Sequence, residues 1–178
     1  MRYVGLLRGI NVGGANKISM AELKGTFEDA GMLAVSTYIN SGNVVFNTDR
    51  EDRDRLVGLL QEAIRERSGV SADLQLRNEN EIAAVVGAMP LEWTNDASMK
   101  CDVVFLQPDV DHADILEELG PRTGIEDAVY VPGAVIWRVD RKNATRSRLT
   151  KMVGTPLYSR VTVRNCNTTR KLLELLQK

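Results

Sequence analysis

The chain has 178 residues, 43% of them hydrophobic and 26% charged, a balance that lets one domain or two small ones fold without disulfide staples. No apolar run approaches the roughly 18 residues that a membrane span needs, and the stretch after Arg2 is too soon broken by Arg8 and Asn11 to read as a secretory signal, so the expected compartment is cytoplasmic, away from membranes. The formal net charge of −1 hides an uneven spread, because residues 1–137 sum to −10 and residues 138–178 to +9.

Residues 2–8 (RYVGLLR) read as a strand, followed by a Gly/Asn-rich loop over 9–19. Ser19, with Glu22 three residues on, predicts a helix start with a capping box, and Gly31 its stop. A hairpin follows: a strand over 35–40, a turn at Ser41-Gly42, and a return over 43–47. An amphipathic helix is expected over 49–68, with Leu56, Leu59, Leu60, Ala63 and Ile64 on one face and Gly69 as its stop. Residues 72–77 alternate as a strand. A further helix over 78–89 ends at Pro90, and an irregular connector carrying Trp93 runs to 99.

The order then repeats. Strands are expected over 101–107, 127–131, 134–139 and 158–163, with a turn at Pro132-Gly133 and helices over 111–119 and 145–153. A terminal helix over 167–177 carries Leu172, Leu173, Leu175 and Leu176, with Asn167 or Thr168 as its cap. Twice the order is β-α-β-β-α-β. The expected class is therefore α+β, two tandem ferredoxin-like (α/β-plait) subdomains with an additional C-terminal helix. The expected boundaries are 1–78 for the first plait, 79–100 for a helical connector, 101–163 for the second plait and 164–178 for the last helix. Strands such as Val103 to Leu106 are apolar without alternation, which predicts burial on both faces.

In such a unit, the loop after the first strand and the turn between the second and third strands emerge at one end of the sheet. Here these carry Arg8, Asn11, Gly13, Gly14 and Lys17, and Tyr38, Ser41, Gly42 and Asn43. Glycines let backbone amides approach a ligand, and Arg8, Lys17 and the following helix N-terminus favour an anion. The spacing fits neither a P-loop, because Ala15-Asn16 replace Lys-Ser/Thr, nor GxGxxG. The competing reading is that these Gly and Asn residues only shape tight loops. A second basic cluster joins Arg164, Asn165, Arg170 and Lys171 to Arg146, Arg148 and Lys151, read as an anion site with Arg170 and Lys171 in the first turn of the last helix, or as a cap with surface charge. The lone His112 excludes a His-rich metal site, and Cys101 and Cys166, far apart and outside any CxxC pair, read as free thiols. No metal or cofactor is expected.

The segment LLRGINVGG (6–14) with Lys17, Met20 and Leu23, then TYINSGN (37–43), then Arg164-Asn165 and residues 168–172, resembles the bacterial family known as domain of unknown function 1697. The resemblance implies two consecutive α/β-plait domains and no assigned activity. It carries motif positions onto Arg8, Asn11, Gly13, Gly14, Lys17, Tyr38, Ser41, Gly42, Asn43, Arg164, Asn165 and Lys171. Asn40 stands where that family often has Gln, and Cys166 where it often has Trp. Three functions compete. The first is a binding module for an anionic small molecule or nucleic acid. The second is a small enzyme acting on a phosphorylated or carboxylate metabolite, with no assignable acid/base pair. The third is a structural or protein-interaction role, including a homodimer seam. Only nine aromatics occur, which argues against base-stacking RNA recognition.

Overall fold

The computed structural model describes residues 1–14 and 16–178. The chain divides into two compact units, Met1–Glu79 together with Glu174–Lys178, and Asn80–Leu173. Each contains a four-stranded antiparallel sheet with helices, so the fold is two tandem ferredoxin-like units followed by a C-terminal helix. Among the described residues no helix is long and apolar enough to cross a membrane.

In the first unit the order is β1 (Arg2–Arg8), α1 (Met20–Asp29), β2 (Leu33–Tyr38), β3 (Asn43–Asn47), α2 (Arg53–Ser68) and β4 (Asp73–Asn78), with the sheet ordered β2-β3-β1-β4. The helix starts follow local chemistry. Ser19 accepts from the Glu22 amide to cap α1, Asp52 accepts from the Arg55 amide to cap α2, and Gly69 ends α2 at φ 70°. Because Asp52 is the cap, α2 starts four residues later than the charged run implies. Alternation sorts the side chains. Tyr3, Leu7, Val44, Phe46, Leu74 and Leu76 face Phe27, Leu56, Leu60 and Ile64 of the helices in one core. Each such aliphatic side chain contributes about 1.5–3 kcal/mol by leaving water. The opposite face is also buried, since Val4, Leu6 and Val45 are at most 1% exposed.

The second unit runs α3 (Glu79–Ala88), β5 (Met99–Leu106), α4 (Ile115–Leu119), β6 (Glu126–Val131), β7 (Ala134–Asp140), α5 (Arg148–Met152), β8 (Val161–Asn165) and α6 (Cys166–Leu176), with the sheet ordered β6-β7-β5-β8. Both faces of β5 are buried, as its unbroken apolar run predicts.

Further boundaries differ from expectation, one for a long-range reason and two for local ones. The helix expected from 111 begins only at Ile115, because the Asp111 carboxylate accepts from the Tyr130 hydroxyl (3.0 Å) and the Gly133 amide (2.9 Å), which holds it at the hairpin. The last strand starts at Val161 because Pro156–Arg160 form a 3-10 turn capped by Thr155. The last helix opens at Cys166, because Asn165 rather than Asn167 or Thr168 supplies the cap, accepting from the Thr168 amide at 2.8 Å. Arg170 and Lys171 therefore sit in the second turn, where the dipole penalty on a cation is smaller.

Candidate functional site

The loop of residues 9–19 leaves β1 through a run of left-handed residues: Gly9 (φ 80°), Asn11 (55°), Gly13 (61°), Gly14 (81°) and Asn16 (51°). Ala15, which with Asn16 replaces the Lys-Ser/Thr of a P-loop, lies outside the described residues. The loop is tied to itself and to the β2–β3 turn. Asn11 Nδ2 donates to Ile18 O (2.9 Å) and Asn40 O (3.1 Å), and its Oδ1 accepts from the Ile18 amide (2.9 Å). Asn16 Nδ2 donates to Gly9 O at 2.9 Å. Buried Ile10 and Ile18 anchor the two ends.

The turn is fastened the same way. Asn43, wholly buried, donates from Nδ2 to Tyr38 O (2.9 Å) and Ser41 Oγ (3.0 Å). The Leu7 amide donates to Gly42 O at 2.8 Å, and a Cβ on Gly42 would lie 2.7 Å from Ile10 Cδ1 and 2.8 Å from Leu7 Cβ. The two glycine-bearing segments thus meet at one end of the sheet, where Asn11 joins backbone to backbone and Asn43 joins the Tyr38 carbonyl to the Ser41 hydroxyl.

The charged residues separate. Arg8 crosses the β1–β4 ladder to Asp73 (3.1 Å) and lines a groove of about 390 Å³ that also holds Glu62 and Arg65. Lys17 is exposed, forms no ion pair with a described residue, and lines a different groove of about 620 Å³ with Asn11, Gly14, Ser19, Met20 and Asn40. Lys17 is the one charged residue among the described residues of that lining. Ser19 and Met20, where α1 begins, share the lining, and the leading amides of a helix have no intrahelical acceptor. Tyr38 is half-buried on β2.

Arg164, Asn165 and Lys171 belong to the second unit. Arg164 is buried on β8, donates to Val163 O (2.9 Å), and burial pulls its pKa down to about 10, which leaves it a cation at neutral pH. Much of the C-terminal positive charge is matched inside this unit. Arg160 forks onto Asp109 (2.6 and 2.8 Å), Arg138 bridges Asp127 (2.7 Å) and Asp140 (2.8 Å), and Arg141 donates to Asp96 O and Asn95 Oδ1. Arg146, Arg148 and Lys151 remain exposed, without an ion pair among the described residues. No group of three or more His, Cys, Asp or Glu that could hold a metal ion occurs among the described residues.

The sequence reading missed Glu126, a buried carboxylate that accepts from Trp137 Nε1 (3.1 Å), the Arg148 amide (2.7 Å) and the Arg122 amide (3.0 Å). Burial pushes its pKa up, but these donors and Ser147 outweigh that and hold it below the ordinary value. It also missed Asp96, whose carboxylate accepts from Thr94, Ser98 and Met99 and is likewise lowered. The Thr94 to Ser98 run was a legible Asx-turn signal. Nothing local marked Glu126.

The two sheets and the fastened loop–turn end define a tandem ferredoxin-like α+β protein. Its first 137 residues match the family described as protein of unknown function (DUF1697), and the chain belongs to that family. It is also similar to a solved structure described as that of conserved bacterial protein SP0830 from Streptococcus pneumoniae, at 26% identity, with 98% of each chain covered and a TM-score of 0.83. No curated protein matches the chain.

Proposed function

We propose that this protein is a cytosolic binding module for an anionic small molecule carrying a phosphate or carboxylate, taken up in the groove beside Lys17. The observation that carries the reading is the isolation of Lys17 as the sole charge among the groove's described residues, sharing its lining with Gly14 and the start of α1. A cation without an internal partner keeps its full attraction for a ligand, and the helix start adds partial positive charge. Arg8, matched to Asp73, contributes less.

The test is titration with inorganic phosphate, followed by amide NMR shifts. Saturable shifts at Gly13, Gly14, Lys17 and Met20 are expected, and Lys17→Ala should weaken binding about tenfold, the value of one charge-assisted hydrogen bond. Shifts confined to other surface cations would reject the reading.

A nucleic-acid ligand is the second reading, favoured by exposed Arg146, Arg148 and Lys151. A mobility-shift assay at low and moderate salt separates the two, because phosphate-backbone binding falls steeply with salt.

A further inference from the structure

Cys101 lies on β5 and Cys166, the residue after β8, opens α6, so residues far apart in sequence come to the end of one ladder. The β5–β8 ladder pairs Val103 with Arg164 and Asp102 with Asn165. Cys101 and Cys166 are the next residues on the two chains beyond that last pair, so the register carries them toward one another. Directly opposed residues of an antiparallel pair have Cα atoms about 4.5–5.5 Å apart, inside the roughly 4.4–6.8 Å that a disulfide spans. Both side chains are wholly buried.

The surroundings divide the roles. Cys166 is the first residue of an 11-residue helix. Its Sγ lies 3.4 Å from Asn167 Oδ1 and 3.7 Å from Trp93 O, bonds its thiol form donates. The thiol of Cys101, the Arg170 guanidinium and the Asn167 amide all favour its thiolate, and together they outweigh burial and draw its pKa below the ordinary thiol value. Cys101 is pushed the other way, first by its interaction with Cys166 and then by burial. Two inert core thiols would both be raised by apolar surroundings. Here the two are drawn in opposite directions. The strap over the pair, residues 90–99, is held to α6 by side-chain bonds, Arg170 to Trp93 O (2.9 Å) and Asn167 to Asn95 O (3.0 Å). Local opening of such a segment admits a small oxidant.

We propose that Cys101 and Cys166 are a dithiol that closes to an intrachain disulfide when the protein meets a peroxide. The Cys166 thiolate attacks one peroxide oxygen. An S–O bond forms as the O–O bond breaks, and the departing hydroxide takes a proton to become water. The Cys101 sulfur then attacks the sulfenic sulfur. An S–S bond forms as the S–O bond breaks, and the Cys101 proton leaves with the oxygen as a second water. Two thiols are oxidised and one peroxide is reduced.

The experiment uses the full reduced chain, treated with hydrogen peroxide, unfolded, blocked with a maleimide and weighed intact. The expected product is monomeric, about 2 Da lighter than the reduced chain and unlabelled, the loss of two hydrogens on disulfide formation, and dithiothreitol restores two labelled thiols. In Cys101→Ser the reaction should stop at a sulfenic acid about 16 Da heavier, trapped by dimedone. Should that variant not fold, the wild-type mass decides alone. A wild-type product that gains oxygen while Cys101 still takes the label, a disulfide-linked dimer, or two thiols untouched by peroxide would each overturn the proposal.

Discussion

At the scale of single residues, the motif positions of the first unit work largely on the backbone. Asn11 and Asn43 each donate two side-chain hydrogen bonds to close the loop and the turn. Gly42 answers a different demand. It sits at φ 78°, where a side chain is strained, and its α-carbon lies against Leu7 and Ile10. The Ile10 tip can rotate away, but Leu7 Cβ is fixed to the β1 backbone. Gly42→Ala should therefore cost about 2–4 kcal/mol, combining left-handed strain with overpacking. Urea denaturation reads this as a lower midpoint at unchanged slope. A midpoint equal to wild type would show that the turn relaxes freely. The Ser41-Gly42-Asn43 turn was legible in the sequence because glycine and asparagine have local reasons to be there. That Asn43 is buried was not legible, because its burial depends on β1 and on the core beneath.

At the scale of elements, local and distant causes separate cleanly. The starts of α1 and α2 follow from caps three residues away, which sequence displays. The start of α4 follows from bonds between Asp111 and the hairpin about Gly133, and the segment after β7 from Glu126, neither of which any window of sequence contains. Arg170 makes the same point for the connector. In sequence it read as a cation near a helix start. In the structure its guanidinium donates to Trp93 O (2.9 Å) and Pro90 O (3.3 Å), taking up carbonyls beyond the end of α3. Arg170→Ala should remove about 1–3 kcal/mol by taking a charged donor from those carbonyls. It should also speed amide exchange across residues 93–96 while leaving β1 and β3 protected. Uniform acceleration over both units would instead mean that the arginine supports global stability rather than the strap.

At the scale of the whole molecule, the opposed charges of the two sequence segments are partly internal accounts. Arg160 with Asp109 and Arg138 with Asp127 join the basic end of the chain to acids that precede it, which no net-charge count reveals. Carboxylates so engaged tie stability to pH. Glu126, buried and held by Ser147, Arg122, Arg148 and Trp137, has a folded pKa below its ordinary 4.5. A depressed acid stabilises the fold above its unfolded pKa, and that contribution is lost as pH falls through the folded value. Asp96, lowered first by the Thr94 hydroxyl, and Asp109, lowered first by Arg160, act in the same direction. Asp102 is opposed: burial raises it, so its contribution is greatest at low pH and declines as pH rises from 3.8 toward the folded value. The lowered groups outnumber it, so the Tm should be flat near neutrality and fall once pH drops below about 4.5. Glu126→Gln should start lower at pH 7, because its four donors lose a full charge to bind, and then fall less steeply, so that the two curves converge in acid. Curves that stay parallel from pH 7 to 3 would mean that Glu126 binds its donors without linkage to folding. Asp102→Asn carries the opposite signature, a gain in Tm at pH 7 that shrinks as the solution is acidified.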